Sequence, residues 1–280
     1  MSGGKDAMTF RCTIIALAAL LALCAPTQAQ DHSHDDMPAP SKLKWSFAGP
    51  FGKYDRGQLQ RGFKVYREVC LQCHGMQLLS FRNLSEPGGP GFTPAQVAAI
   101  AAEYNVQAGV DDQGKPIERA ARPADRFPPP LVKFPDVTPP DMSVIAKARS
   151  YERGFPYWVL DMITQYQEHG ADYITALLQG YEDPPPGVAL PAGAMYNKYF
   201  PGHATAMPPP LSDKRVDYTD GTPMTVEQYS KDISAFLMWA AEPHLEARKR
   251  IGFQVMIFLV VFAGLLYFTK KKVWRAVGSH

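Results

Sequence analysis

Cysteine is scarce in this sequence: 4 in 280 residues, two of them inside a leading apolar stretch. Only Cys70 and Cys73 remain for the rest of the chain, so it can build neither a disulfide framework nor a four-cysteine zinc site. Alternating β-branched runs are few, which leaves strand signals weak. No internal repeat recurs, so solenoid architectures are excluded. Acidic side chains are missing from the C-terminal end, where 7 Lys/Arg and no Asp/Glu follow Ala247. Between Gln30 and Ala247, 20 Lys/Arg face 26 Asp/Glu, a net of −6 hidden beneath the overall +2. Such a segment is a poor partner for nucleic acid. Its mild acidity either suits a basic soluble protein or serves solubility alone.

What is present begins with two membrane signals. A basic start (Lys5, Arg11) precedes an apolar run from Thr13 to Ala25, and Thr27-Gln28-Ala29 has small residues at both key cleavage positions. This reads as a secretory leader over residues 1–29. Leu23 is too large for the lipoprotein cleavage that Cys24 would require. The second signal is Ile251–Thr269, 19 residues without a charge. At ~1.5 Å per residue it spans a hydrocarbon core. Basic residues flank it on both sides, so the exported N-terminus, not loop charge, sets its orientation. The expected plan is a periplasmic domain over 30–250, a transmembrane helix over 251–269 and a cytoplasmic tail over 270–280. It places the protein in the cell inner membrane as a single-pass chain.

Helical periodicity dominates the exported part. Leu59, Phe63, Tyr66 and Cys70 share a helical face. Thr93-Pro94-Ala95-Gln96 is a capping box with proline at the first helical position. Phe155, Val159, Met162 and Tyr166 form another apolar stripe, a short helix runs from Ala171 to about Gly180, and Thr225–Gln228 caps a last soluble helix. Between them lie "RFPPPLVKFPDVTPPD", "EDPPPGVALPAG" and "AMPPPL". Proline fixes φ and removes donors, so these loops are stiff without being regular. The fold class is mostly α, with long proline-rich loops around a large ligand and one C-terminal transmembrane helix. The start of the exported segment, with His32 and His34, reads as disordered and not as a metal site.

The chemistry lies in "EVCLQCHGM", residues 68–76. A Cys-x-x-Cys pair serves a redox disulfide, half a zinc site, or a c-type haem. The redox reading needs a βαβ context that is missing, and the zinc reading needs two further good ligands. His74 follows the second cysteine directly, which is the c-type haem pattern: two thiols for two vinyl groups and an imidazole beneath the iron. One motif means one covalent haem c. For the sixth iron position, Met207 in "HATAMPPPL" is the leading candidate, because a Met before three prolines is a poor core-helix residue. His203, His169 and His244 are rivals. Partly buried propionates want Arg or Tyr donors, and Arg149 and Tyr173 are candidates among many.

At this point the chain resembles a known family, cytochrome c1, the haem subunit of the ubiquinol–cytochrome c oxidoreductase (cytochrome bc1) complex, in its alphaproteobacterial form. The likeness runs from about Trp45 to the anchor. It is carried by "WSFAGPFGKYDRGQLQRGFKVYREVCLQCHGM", "FRNL", "PPDMSVIAKAR", "DYITALLQGYEDPPPGV", "YNKYFPGHATAMPPPL", "DGTP" and "FLMWAAEPHLEARKRIGF". The resemblance implies haem on Cys70 and Cys73, axial ligation by His74 and Met207, a propionate met by Arg149 and Tyr173, and Pro140 packed against the haem. It implies a one-electron relay from the Rieske iron–sulfur protein to a soluble or tethered cytochrome c, beside cytochrome b, in a dimeric complex within membrane lipid. Such a chain is no enzyme in isolation.

Two features depart from the family pattern. Some relatives carry an Asn/Gly-rich stretch before "PPD", where this chain has Phe134-Pro135-Asp136-Val137-Thr138, and the extra cysteine pair of some bacterial relatives is absent. The main rival is a stand-alone anchored periplasmic cytochrome c, whose Met would follow the haem motif more closely than Met207, which lies 133 residues after His74. A zinc- or thiol-dependent periplasmic enzyme is the second.

Overall fold

A computed structural model describes residues 37–275, apart from residues 131, 133, 135, 136, 152, 153 and 165 and the side chain of residue 163. The expected leader (1–29), the His32/His34 segment and the end of the tail lie outside the described residues.

Helix α1 (Arg56–Glu68) begins at Asp55, whose carboxylate accepts from the Gln58 N–H and satisfies one orphan donor of the first turn. It buries Leu59, Phe63 and Tyr66, the expected face. A 3-10 turn follows over Cys70–Gln72. Helix α2 (Pro94–Ala102) carries the expected capping box, with Thr93 and Gln96 bonding each other's backbone N–H. The hairpin β1 (Asn105–Val110) and β2 (Pro116–Ala120) comes next, then the short α3 (Ile145–Ala148), α4 (Tyr157–Thr164) and α5 (His169–Gln179). A two-residue ribbon pairs β3 (Met195–Tyr196) with β4 (Ala204–Thr205). Helix α6 (Val226–Ala241) starts at Thr225, which accepts from the Gln228 N–H, and α7 runs over Leu245–Trp274.

The core forms where α1 crosses α6. Gly62 makes the crossing close: a Cβ there would lie 2.1 Å from the Asp232 carbonyl oxygen and 2.6 Å from the Phe236 Cβ. Phe63 and Tyr66 then reach the Phe236 ring, at centroid distances of 5.7 and 5.9 Å. Tyr66, Tyr229, Phe236 and Trp239 are among the largest fully buried side chains, and each such burial contributes about 1.5–3 kcal/mol. The seam also buries the Asp232 carboxylate completely. Arg61 Nε (2.9 Å), Gln228 Nε2 (2.9 Å) and the Tyr218 hydroxyl (3.0 Å) donate to it, so its charge is paired and its lone pairs are used. On another side of α6, the Thr175 hydroxyl of α5 donates to Ser234 at 2.8 Å, within a buried contact.

Two elements differ from the sequence reading. The apolar stripe running through α4 is left largely uncovered: Phe155 is 81% and Met162 62% exposed, with Val159 and Tyr166 half-buried. Helical spacing reports a shared face and not what covers it. The β1–β2 hairpin arises where strand signals were weak. Its turn is fixed locally, by the Asp111 carboxylate accepting from the Gln113 and Lys115 N–H groups and by Gly114 at φ 78°.

Helix α7 exceeds the apolar run it contains. Its 30 residues correspond to about 45 Å at ~1.5 Å per residue, enough to cross a bilayer and continue beyond it. Its first turns are tied to the segment before α1. Glu246 accepts from the Tyr54 N–H at 3.0 Å, Lys249 Nζ donates to the Phe47 carbonyl at 2.5 Å, and the Tyr54 hydroxyl reaches the Met238 carbonyl of α6 at 3.3 Å. The Glu242 carboxylate, between the two helices, pairs with Arg248.

Replacing Gly62 by alanine drives a methyl into the Asp232 carbonyl. We expect a loss of about 3 kcal/mol of stability, the upper range for overpacking, seen as a lower denaturant midpoint. A Gly62→Ala midpoint equal to wild type contradicts the close crossing.

Candidate haem site

The end of α1 delivers Val69 into the turn that carries the two thiols. Cys73 N–H and His74 N–H both donate to the Cys70 carbonyl, at 3.1 and 2.9 Å, so Cys70, Cys73 and His74 sit on one tight turn. Both cysteines are free and half-buried by exposure. Burial, reinforced by the neighbouring Cys73, pushes the Cys70 thiol up to about 12. That is the opposite of the low-pKa thiol that dithiol oxidoreductases need. Among the described residues, no group of three or more His, Cys, Asp or Glu is placed to hold a metal ion, which removes the zinc alternative there.

His74 is buried, and its Nδ1 lies 2.8 Å from the Pro140 carbonyl oxygen. A carbonyl only accepts, so Nδ1 carries the proton and Nε2 keeps its lone pair, with no partner among the described residues. Burial lowers the imidazole's proton affinity, opposed by the Pro140 carbonyl and Asp141, which favours the neutral ring. Thus Pro140 enters through its backbone oxygen, a role its ring did not predict.

The proline-rich segment before α3 is stitched around this turn. Val132 N–H donates to the Gln72 carbonyl at 2.9 Å and Met142 N–H to the Gly75 carbonyl at 2.8 Å. Asp141, which the sequence reading passed over, is the central stitch: one oxygen accepts from Gln77 N–H and the other from Ser143 N–H, both at 2.8 Å. The Ser143 hydroxyl accepts from Leu78 N–H at 3.0 Å. The Asp-Met-Ser spacing ahead of α3, a side-chain acceptor two residues before its donor, is the signal that was available. Gly75 leaves little room, since a Cβ would meet Pro130 at 3.2 Å. Val132 and Val144 remain 46% and 45% exposed beside the stitched turn, apolar surface suited to a macrocycle.

Arg149 and Tyr173 come from different elements and are brought together. Arg149 follows α3, whose Ala146 carbonyl would lie only 1.6 Å from a Cβ at Gly170 in α5. That close packing sets the Arg149 backbone against the first turn of α5, one turn from Tyr173. Burial raises the Tyr173 pKa while Arg149 opposes it, the mark of a guanidinium near the phenol.

Met207 belongs to a second strap. Its carbonyl accepts from the Tyr181 hydroxyl at 3.1 Å, and its N–H donates to the Thr205 hydroxyl at 3.2 Å. The β3–β4 ribbon hangs from the end of α5, where the fully buried Asn197 donates to the Leu177 carbonyl at 2.7 Å. Met207 itself is half-buried and stands outside the hydrogen-bond network that joins His74, Pro140 and Asp141. The rival histidines are otherwise engaged. His203 stacks on Tyr196 and faces the Asn197 carbonyl, and His169 pairs with Asp161 at 3.0 Å. His244 is the exposed N-cap of α7.

The donor set fits a covalent haem: paired thiols, an imidazole with its nitrogen lone pair presented, and a thioether on a separate strap. Removing the Asp141 carboxylate leaves two loop N–H groups without their charged acceptor. Asp141→Ala should cost about 3 kcal/mol in chemical unfolding. An unchanged stability contradicts the stitching role.

Comparison with known proteins places the chain in a family. A model of the Cytochrome C1 family matches residues 45–277. "Cytochrome c1" of Blastochloris viridis is 49% identical, over 96% of this chain and 98% of its own length. "Cytochrome c1" of Cereibacter sphaeroides is 38% identical, over 96% and 97%. "Cytochrome b/c1" of Bradyrhizobium diazoefficiens is 55% identical over 97% of this chain, which spans only 40% of that relative's length. The chain therefore belongs to the cytochrome c1 family, electron-transport proteins of membranes that carry a covalently bound haem c.

Proposed function

We propose that this chain is the one-electron relay of a quinol-oxidising cytochrome bc1 complex. It takes electrons from a Rieske iron–sulfur protein and passes them to a soluble or anchored cytochrome c, beside cytochrome b in a dimeric assembly. The observation that carries the reading is the Pro140 carbonyl on His74 Nδ1, next to two thiols on the same turn. It fixes an imidazole for permanent ligation, as electron transfer requires.

The haem, when bound, supplies a reversible ferric–ferrous couple. The chain's residues do the rest. Cys70 and Cys73 would attach it through their thiols, and His74 and Met207 would ligate its iron. A thioether paired with an imidazole would give a higher potential than two histidines. Arg149 and Tyr173 would donate to a propionate, and Pro140, which holds the His74 ring through its carbonyl, would border the group. The stitched loop and the Tyr181-tied strap limit motion between oxidation states. The haem domain faces the periplasm over residues 30–250, residues 251–269 cross the membrane, and the last residues are cytoplasmic.

The relay reading is supported over a stand-alone anchored cytochrome by the match of residues 45–277 to the Cytochrome C1 family model. Adding ubiquinol to solubilised membranes should produce a c-type α-band from this chain, suppressed by a quinol-oxidation-site inhibitor. A band that appears only with a chemical reductant contradicts the relay and favours the stand-alone cytochrome.

A further inference from the structure

We propose that the membrane-proximal turn of α7 forms a binding site for the headgroup of an anionic phospholipid. A cavity of ≈ 590 Å³ opens there between the loop before α1 and the first turns of α7. Its polar lining is Lys53, Glu246, Lys249 and Arg250, and its apolar wall is Phe51 and Phe253.

The charges in this cavity favour an anion. Glu246 is occupied by the Tyr54 N–H at 3.0 Å, and Lys249 by the Phe47 carbonyl at 2.5 Å. Lys53 and Arg250 are exposed and have no ion-pair partner among the described residues. Three cations thus share one carboxylate, and two of the cations remain free for a phosphate. The loop that presents Lys53 is preformed. Lys53 N–H donates to the Ser46 carbonyl at 2.9 Å, and a Cβ at Gly52 would lie 2.1 Å from the Ala48 carbonyl oxygen.

A free phosphate ion has no use for the rest of the site. Phe51 is 70% exposed although it belongs to the ectodomain loop, and its ring meets Phe253 edge-on at 5.3 Å. Phe253 lies two residues inside the uncharged run that starts at Ile251, so the aromatic wall continues from the cationic rim toward the hydrocarbon level. Cations at the phosphate depth above aromatic rings at the acyl boundary match a lipid's own order of groups. The occupant is therefore a glycerophospholipid with net negative charge.

The test uses the detergent-purified, haem-loaded protein with the subunits that accompany it. It is incubated with an equimolar mixture of phosphatidylglycerol and phosphatidylcholine of matched chains, and native mass spectrometry counts the lipids retained. We expect one phosphatidylglycerol more per copy in wild type than in a Lys53→Gln/Arg250→Gln variant, with retention about tenfold or more weaker in the variant. Excess inorganic phosphate should not displace it. Haem content shows that the variant, altered only at exposed positions, is folded. Equal retention of both lipids, undiminished retention in the variant, or displacement by phosphate each overturns the proposal. A neighbouring apolar helix filling the cavity gives the first or second of these results.

Discussion

The close contact of α1 with α6 at Gly62 governs the rest of the structure. Because a glycine lies against the Asp232 carbonyl, the two helices approach until the Phe63, Tyr66 and Phe236 rings meet. Helix α1 ends in the thiol-bearing turn, and α6 leads through Glu242 into the membrane helix. One packing seam therefore connects the haem motif to the anchor without an intervening flexible linker. For a relay that must hold its cofactor at a set height above a membrane, that rigidity is the useful property.

The site is built from loops, yet the loops are constrained. Proline removes donors and fixes φ, so few N–H groups need partners; Val132 N–H finds Gln72, Met142 N–H finds Gly75, and Asp141 accepts from Gln77 and Ser143. Among the described residues no disulfide braces either strap. On the His74 side the brace is a carboxylate between two N–H groups, and on the Met207 side it is a buried asparagine and a tyrosine hydroxyl. These contacts supply geometric precision in place of a covalent cross-link.

Much of this was legible in the residues. The Cys-x-x-Cys-His spacing, the Thr93 and Thr225 caps, the α1 face and the 19-residue apolar run each rest on local rules that tertiary context did not override. The misses share a physical cause. The apolar stripe at 155–166 is largely exposed, because helical periodicity cannot say whether a shared face is covered by this chain or by something else. Asp141 and the Pro140 carbonyl escaped because one works through long-range backbone contacts and the other has no side-chain signature at all. The β1–β2 hairpin is nearly all exposed, so it lacks the alternation by which strands are recognised.

The central claim is that His74 and Met207, on separately braced straps, hold one covalently attached haem. Redox potentiometry of a Met207→Leu variant tests it most directly. The account predicts that haem stays attached through Cys70 and Cys73 while the midpoint potential falls by on the order of 0.2 V, a share of the roughly 0.8 V over which axial ligands set haem potentials. A midpoint equal to that of wild type contradicts the account.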